Sequence, residues 1–300
     1  MAFDKPNLSY EDQLALFESR GMAVNNRERA LERLRHISYY KIKEFSMFFM
    51  TGNRYNPGTS FEAVIQNFYF DKTLRFELLS MSEKIELSIK NKFSYLMGGK
   101  YGPFGYLKFH NWIDRKIPLN QIKYEEQNFA KKIKEKETEF AGFFLLEDYY
   151  ANFPEEKRIP VWVMTELLTF GEIIHLLKLM SHNNKLAVAK KYGLLADEFG
   201  SFIENIRLIR NLCAHNHPVI NLTIKSVPVI PESFRPYLCE TNKIATSVLI
   251  FVWFVKTIRP EYDFGSLKKI LFKLIKREKV ARMYGFASVK AIKEFIALKT

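Results

Sequence analysis

The sequence predicts an all-α fold, and three observations carry that expectation. Apolar residues recur at steps of three and four along most of the chain. Capping residues stand just ahead of several of those periodic runs. Strand-like patterning is confined to one short stretch, Val227-Pro228-Val229-Ile230. With 300 residues, 47% of them hydrophobic, the chain can bury a large core in one domain or in two lobes.

Taken in order, Ser9 with Asp12 forms a capping pattern that opens a helix at Tyr10, and Gly21 ends it. Asn25 or Asn26 caps a second helix reaching His36. That helix points Leu31 and Leu34 inward and Arg27, Arg29, Arg33 and Arg35 outward. The arginines form either a phosphate-contact surface, with Arg33 as the candidate contact, or a solvated face paired with Glu28 and Glu32. A third helix spans about Tyr39 to Met50, and turn formers from Thr51 to Gly58 close a small N-terminal helical lobe, residues 1–58.

A larger helical domain, residues 59–300, begins where Thr59 or Ser60 caps a long helix over Phe61 to Met97. Leu74, Leu78, Met81, Ile85, Ile89 and Phe93 form its apolar stripe. Asp71, Arg75, Glu83, Glu86 and Lys90 are expected on its other faces. Glu86 and Lys90, four apart, fit a surface pair; beside a helix bearing Arg210 they would instead orient its side chains. Gly98 to Gly105 is expected to be a turn, since it lacks the spacing of a GxxxxGK[ST] loop. Gln121 to Glu139 predicts an exposed, charged helix, and Phe140 to Tyr150 an aromatic run that packs back on the core.

After a link at Asn152 to Pro160, Trp162 opens a helix that breaks at Gly171. Short helices follow at Glu172 to Met180 and Lys185 to Tyr192, and Gly193 turns the chain. His175, among Ile173, Ile174, Leu176 and Leu177, fits a partly buried structural histidine. Pro218 to Pro236, with four prolines, predicts a loop. Ile244 to Val255 predicts a buried helix, too short to span a bilayer. Leu267 to Tyr284 predicts a basic amphipathic helix carrying Lys276, which fits RNA, an anionic membrane surface or a merely solvated face, with RNA preferred.

Net charge and cysteine usage narrow the function. A formal charge of +13 favours a polyanionic partner. Two cysteines, Cys213 and Cys239, with no CxxC argue against a disulfide framework or a zinc site and fit a reducing cytoplasm. The N-terminus has no basic-then-apolar signal pattern. A cytoplasmic protein with no membrane partner is expected.

The chemistry concentrates in Arg207-Leu208-Ile209-Arg210-Asn211-Leu212-Cys213-Ala214-His215-Asn216-His217. Phe202, Ile203, Ile206, Ile209 and Cys213 give this stretch a helical apolar face. Arg207, Asn211 and His215, at steps of four, share another face. Pro218 then stops the helix. A histidine near its ordinary titration range can move a proton to or from a ribose 2′-hydroxyl or a leaving 5′-oxygen. An arginine forks onto phosphate oxygens. Asn211 is placed to fix the tautomer of His215, and no metal or cofactor is required.

Arg210-Asn211-Leu212-Cys213-Ala214-His215, with Asn221 beyond it, resembles the Arg-Asn-x-x-Ala-His signature of the HEPN superfamily. Three further segments resemble the Abi-like family of abortive-infection proteins, of the AbiD/AbiF kind. They are Lys5-Pro6-x-Leu8-Ser9-Tyr10-Glu11-Asp12-Gln13 with Ile37-Ser38-Tyr39-Tyr40; Phe70-Asp71-Lys72-x-Leu74-Arg75 with Lys84-Ile85-Glu86; and Pro160-Val161-Trp162 with Glu166-Leu167-Leu168-x-Phe170-Gly171. Pro218 and Lys90 stand where relatives carry arginine. The resemblance implies a HEPN-type helical bundle and a metal-independent endoribonuclease acting as a toxin-like effector in defence against phage. Arg210 and His215 would be its catalytic pair and Asn211 its organiser, with Arg207, His217, Arg33, Lys90 and Lys276 as RNA contacts. One copy of the motif implies a homodimer, and an RNA or protein antitoxin is a further expected partner. The alternative is a non-catalytic RNA-binding or regulatory protein that grips a structured RNA with the same basic surfaces.

Overall fold

A computed structural model describes residues 7–298, and 69% of the chain is helical, so the fold is all-α. Lys5 and Pro6 of the first family-like segment lie outside the described residues. In the N-terminal part, α1 (Tyr10–Ser19), α2 (Arg27–His36) and α3 (Tyr39–Ser46) start where side-chain oxygens accept from otherwise unpaired amides. Ser9 accepts from the Asp12 amide, Asn26 from Arg29 and Ser38 from Lys41. These helices bury Leu14, Phe17, Leu34 and Phe45. Where only a turn was expected, β1 (Met50–Thr51) and β2 (Arg54–Tyr55) pair antiparallel with Met50 opposite Tyr55. Tyr55 is buried and shares a 2.7 Å hydrogen bond with Ser46.

The spine is α4 (Phe61–Tyr101), which Ser60 caps. Its 41 residues extend about 60 Å. Its first turns donate Phe61, Val64 and Ile65 to the N-terminal cluster. From Leu74 onward the same helix lines the main core. It runs past the predicted end at Met97 and stops at Gly102, where φ is +79°. Gly98 sits inside the helix against Val161 and Trp162, where a Cβ would make ordinary contact, so this glycine does not end the helix.

Around this spine come α5 (Leu119–Glu139), α6 (Phe144–Asn152), α7 (Val161–Leu167), α8 (Phe170–Leu179), α9 (His182–Ala189) and α10 (Ala196–Ala214). The series ends with α11 (Ile244–Ile258), α12 (Gly265–Leu274), α13 (Glu278–Met283) and α14 (Val289–Ala297). Helices α7, α10, α11 and α12 all pack on α4. Helix α5 is charged on one side but buries Ile122, Phe129 and Ile133 on the other. The break between α7 and α8 falls at Leu168 and Thr169, ahead of Gly171, because Thr169 and Glu172 cap each other's backbone amides. His175 is exposed rather than buried: it faces outward from α8 and meets Glu125 of α5 at 2.9 Å. Helix α11 is buried along nearly its whole length. The predicted basic helix after it is two, α12 and α13, parted at Ile275 to Arg277 where buried Ile275 pins the joint. Among the described residues no strand forms at Val227 to Ile230, and no helix is long and apolar enough to cross a membrane.

Candidate active site

Helix α10 buries Phe199, Phe202, Ile203, Ile206, Ile209 and Cys213, which leaves Arg207, Arg210 and Asn211 on its outer sector. The helix ends in a defined lock. His217 donates its amide to the Leu212 carbonyl at 2.8 Å, and Asn216 donates to Cys213 at 3.2 Å. This pair of bonds is a Schellman motif, and it needs a left-handed residue at Asn216, whose φ is +58°. The helix therefore stops at Ala214, four residues before Pro218, which only follows the lock. Its consequence is that His215 and His217 are both presented to solvent.

The lock is held from beneath by α4. Asp71 accepts the Val219 amide at 2.8 Å and the Ile220 amide at 3.1 Å. Its other oxygen takes Arg75 Nε at 2.7 Å, and Arg75 Nη1 reaches the Asn216 side-chain oxygen at 2.9 Å. Asp71 is 0% and Arg75 4% exposed, so the expectation that they face outward is corrected. Burial raises the Asp71 carboxyl above its ordinary value, against the pull of the two amides and the guanidinium. From the side, Lys41 of α3 donates to the Asn216 carbonyl at 3.1 Å and also pairs with Glu44. The two histidines thus ride on a turn fixed by three elements.

Arg210 is half-buried and lines a cavity of about 310 Å³ with Leu79, Ser82, Glu83, Glu86 and Leu87 of α4. Helix α4 does pack beside the Arg210 helix, with Glu86 in the wall and Lys90 paired to it at 3.4 Å. Asn211 accepts from Arg210 Nη1 at 3.3 Å. Its side chain is therefore engaged by the guanidinium, and it holds His215 through the backbone, where the His215 amide donates to the Asn211 carbonyl at 3.0 Å. Arg207 lies one turn earlier and forks onto Glu204 at 2.8 and 2.9 Å, a carboxylate that Lys178 also holds.

The remaining candidate contacts are dispersed. Lys90 is 8% exposed, so its charge is spent on Glu86 rather than offered to solvent. Arg33 is exposed on α2 and stacks over Tyr69 at 5.8 Å. Lys276 is exposed in the joint between α12 and α13. A second cavity, about 610 Å³, lies between α10 and the loop after the histidines, with Lys178, Asn205, Arg207 and Lys225 in its lining. The amide of Asn205 is buried there without a hydrogen-bond partner among the described residues.

Cys213 faces inward, and burial pushes its thiol up to about 12, so it stays protonated at neutral pH. The exposed titratable side chains at this terminus are those of His215 and His217. Among the described residues no group of three or more His, Cys, Asp or Glu is placed to hold a metal ion. Sequence reasoning missed the Asp71–Arg75 clamp. Its only local signal was an acid and a base four apart beside Phe70 and Leu74, a spacing that a surface pair shares.

Compared with known proteins, the chain matches no curated protein and no solved structure. The Abi-like protein family model matches residues 32–221, well over half of the chain, from within α2 through the clamp and both histidines to Asn221. The chain therefore belongs to the Abi-like protein family.

Proposed function

We propose that the chain is a metal-independent endoribonuclease of the HEPN type that acts in abortive infection, the role its family description points to. The observation that carries this reading is the α10 terminus. Arg210, with Asn211 steadying it, and two solvent-facing imidazoles come from one short stretch whose backbone is rigidly held. Such a group suits attack by a ribose 2′-hydroxyl on the adjacent phosphate. His215 takes the hydroxyl proton or returns one to the departing 5′-oxygen; the P–O5′ bond breaks as the P–O2′ bond forms. The products are a 2′,3′-cyclic phosphate and a 5′-hydroxyl. Arg210 offsets charge on the phosphoryl oxygens.

One chain supplies one Arg210 and one His215, so acid and base together call for His217 or a second copy. A homodimer is favoured by the face beside Arg210. Phe76 and Leu87, 60% and 55% exposed, flank the cavity that Arg210 lines, at helical spacing with Leu79 and Glu83. A second copy laid on that face brings two Arg210–His215 sets to one phosphate.

The test compares wild type, Arg210→Ala and His215→Ala on end-labelled RNA in EDTA. Wild type alone is expected to cut, leaving cyclic phosphate ends, with each variant at least about 10²-fold slower. Equal RNA binding by all three with no cleavage by any would sink the nuclease reading in favour of a non-catalytic RNA binder.

A further inference from the structure

A cavity larger than the two beside α10 lies in the N-terminal part. A groove of about 810 Å³ runs between α1, α2 and α3, inside the range of about 300–1,000 Å³ typical of ligand sites. Arg20, Arg35 and Lys43 line it together with Tyr10, Tyr39 and Tyr40. No carboxylate is among the described residues that line it. Three acids of these helices are engaged elsewhere: Asp12 with Ser9, Glu18 with Arg27, and Glu44 with Lys41. Among the described residues no ion pair neutralises the three cations of the groove. The charged surface of α5 differs, since Lys131, Lys132 and Lys136 each face a glutamate.

The tyrosines are arranged as a platform. Tyr39 packs on Phe17 at 4.7 Å and meets Arg20 at 3.4 Å, so it is fixed. Tyr40 stands edge-on to it at 5.4 Å and is 72% exposed. An open ring standing against a fixed one, among cations without a carboxylate, suits a base above and phosphates beside it. An acidic peptide would use the cations but leave the open tyrosine without a role. The groove also adjoins the candidate site, because Lys41, next in sequence to Tyr40, binds the Asn216 carbonyl. Two neighbouring faces of α3 thus look onto the groove and onto the histidine-bearing turn.

We propose that this groove is a binding site for single-stranded RNA, taking the segment that flanks the strand held at the α10 terminus. Tyr40 stacks a base, and Arg35 and Lys43, backed by Arg20, take the phosphates. The α1 wall lies outside the family-matched residues, so the groove extends the RNA reading of the site, on which it rests for the choice of polyanion.

The experiment uses the full chain carrying His215→Ala, in EDTA, with a short unstructured RNA containing 2-aminopurine. Adding Arg35→Ala with Lys43→Ala is expected to reduce the slope of log affinity against log salt by about 1.4, two contacts at about 0.7 each. Tyr40→Ala is expected to weaken binding about tenfold and abolish fluorescence quenching, while Tyr40→Trp retains both. The altered side chains of Arg35 and Tyr40 are exposed and that of Lys43 half-exposed, so the fold is kept. Unchanged affinity and slope in the groove variants, equal binding of duplex RNA, displacement by polyglutamate in preference to RNA, or no RNA binding at all would each overturn the proposal. Groove-dependent binding supports it even if wild type fails to cleave, and cleavage with groove-independent binding removes the groove alone.

Discussion

Two regions meet at Asn216, and they are built on opposite terms. Beneath it, Asp71 and Arg75 are withdrawn from water and bind each other, the Val219 and Ile220 amides and the Asn216 side chain. Above it, His215 and His217 stand in solvent and Arg210 borders an open cavity. The lower region spends charge on shape. The upper region leaves two imidazoles open to solvent and Arg210 only half covered. The contrast teaches that polar residues of one helical protein divide by burial and pairing, not by residue type: Arg75 and Arg210 share a chemistry and not a task.

The comparison breaks most readily at Asp71. Asp71→Ala leaves a buried guanidinium unpaired and two backbone amides without an acceptor. The expected loss is about 3–5 kcal/mol of unfolding free energy, measured by urea denaturation. Asp71→Asn, which keeps an acceptor for the amides, should fall between wild type and Asp71→Ala. Arg210→Ala and His215→Ala should lose less than about 1 kcal/mol by the same measurement. A stable Asp71→Ala protein that no longer cleaved RNA would move Asp71 from the lower region to the upper one.

How much of this was legible follows from what sequence encodes locally. Helix starts depend on one side chain and an amide three residues on, so Ser9 was readable, and Asn26 and Ser60 each as one of two neighbours. The apolar stripe of α4 was readable for the same reason. The site residues at the end of α10 were readable as a cluster. What could not be read is pairing across 148 residues, the separation between Asp71 and Val219. Asp71 and Arg75 obey the i,i+4 rule of a surface pair, and only the packing of the Val219 turn over them makes them core. His175 was misjudged in the reverse sense, since apolar neighbours in sequence do not share its face of α8. The Asn211 side chain was assigned to His215 by spacing, while Arg210 beside it competes and takes the oxygen.

A finer probe lies at the hinge itself. Asn216 supplies both a left-handed backbone and an acceptor for Arg75. Asn216→Gly keeps the backbone and removes the acceptor; Asn216→Ala removes the acceptor and strains the backbone. The alanine variant is expected to be about 1 kcal/mol less stable than the glycine variant, with both below wild type. If the two variants melted together, the left-handed turn would not be what holds the histidines in place.

The smallest effect belongs to Arg207, which stands between the two regions, half-exposed and already paired with Glu204. Burial pushes the Glu204 carboxyl up, but hydrogen bonds from Lys178 and Arg207 outweigh it and hold the group below its ordinary value of 4.5. A carboxyl depressed in the folded state contributes stability above its unfolded value and loses it as pH falls through the folded one. The stability gap between wild type and Glu204→Gln should therefore persist from neutral pH down to about 4.5 and close below that. Its size should stay under about 1 kcal/mol, because Arg207 is 43% exposed and solvent screens the pair. A gap that instead widened on acidification would mean that Glu204 is held protonated. Arg207 would then be free, and would join Arg210 among the cations that the proposed reading assigns to the phosphate.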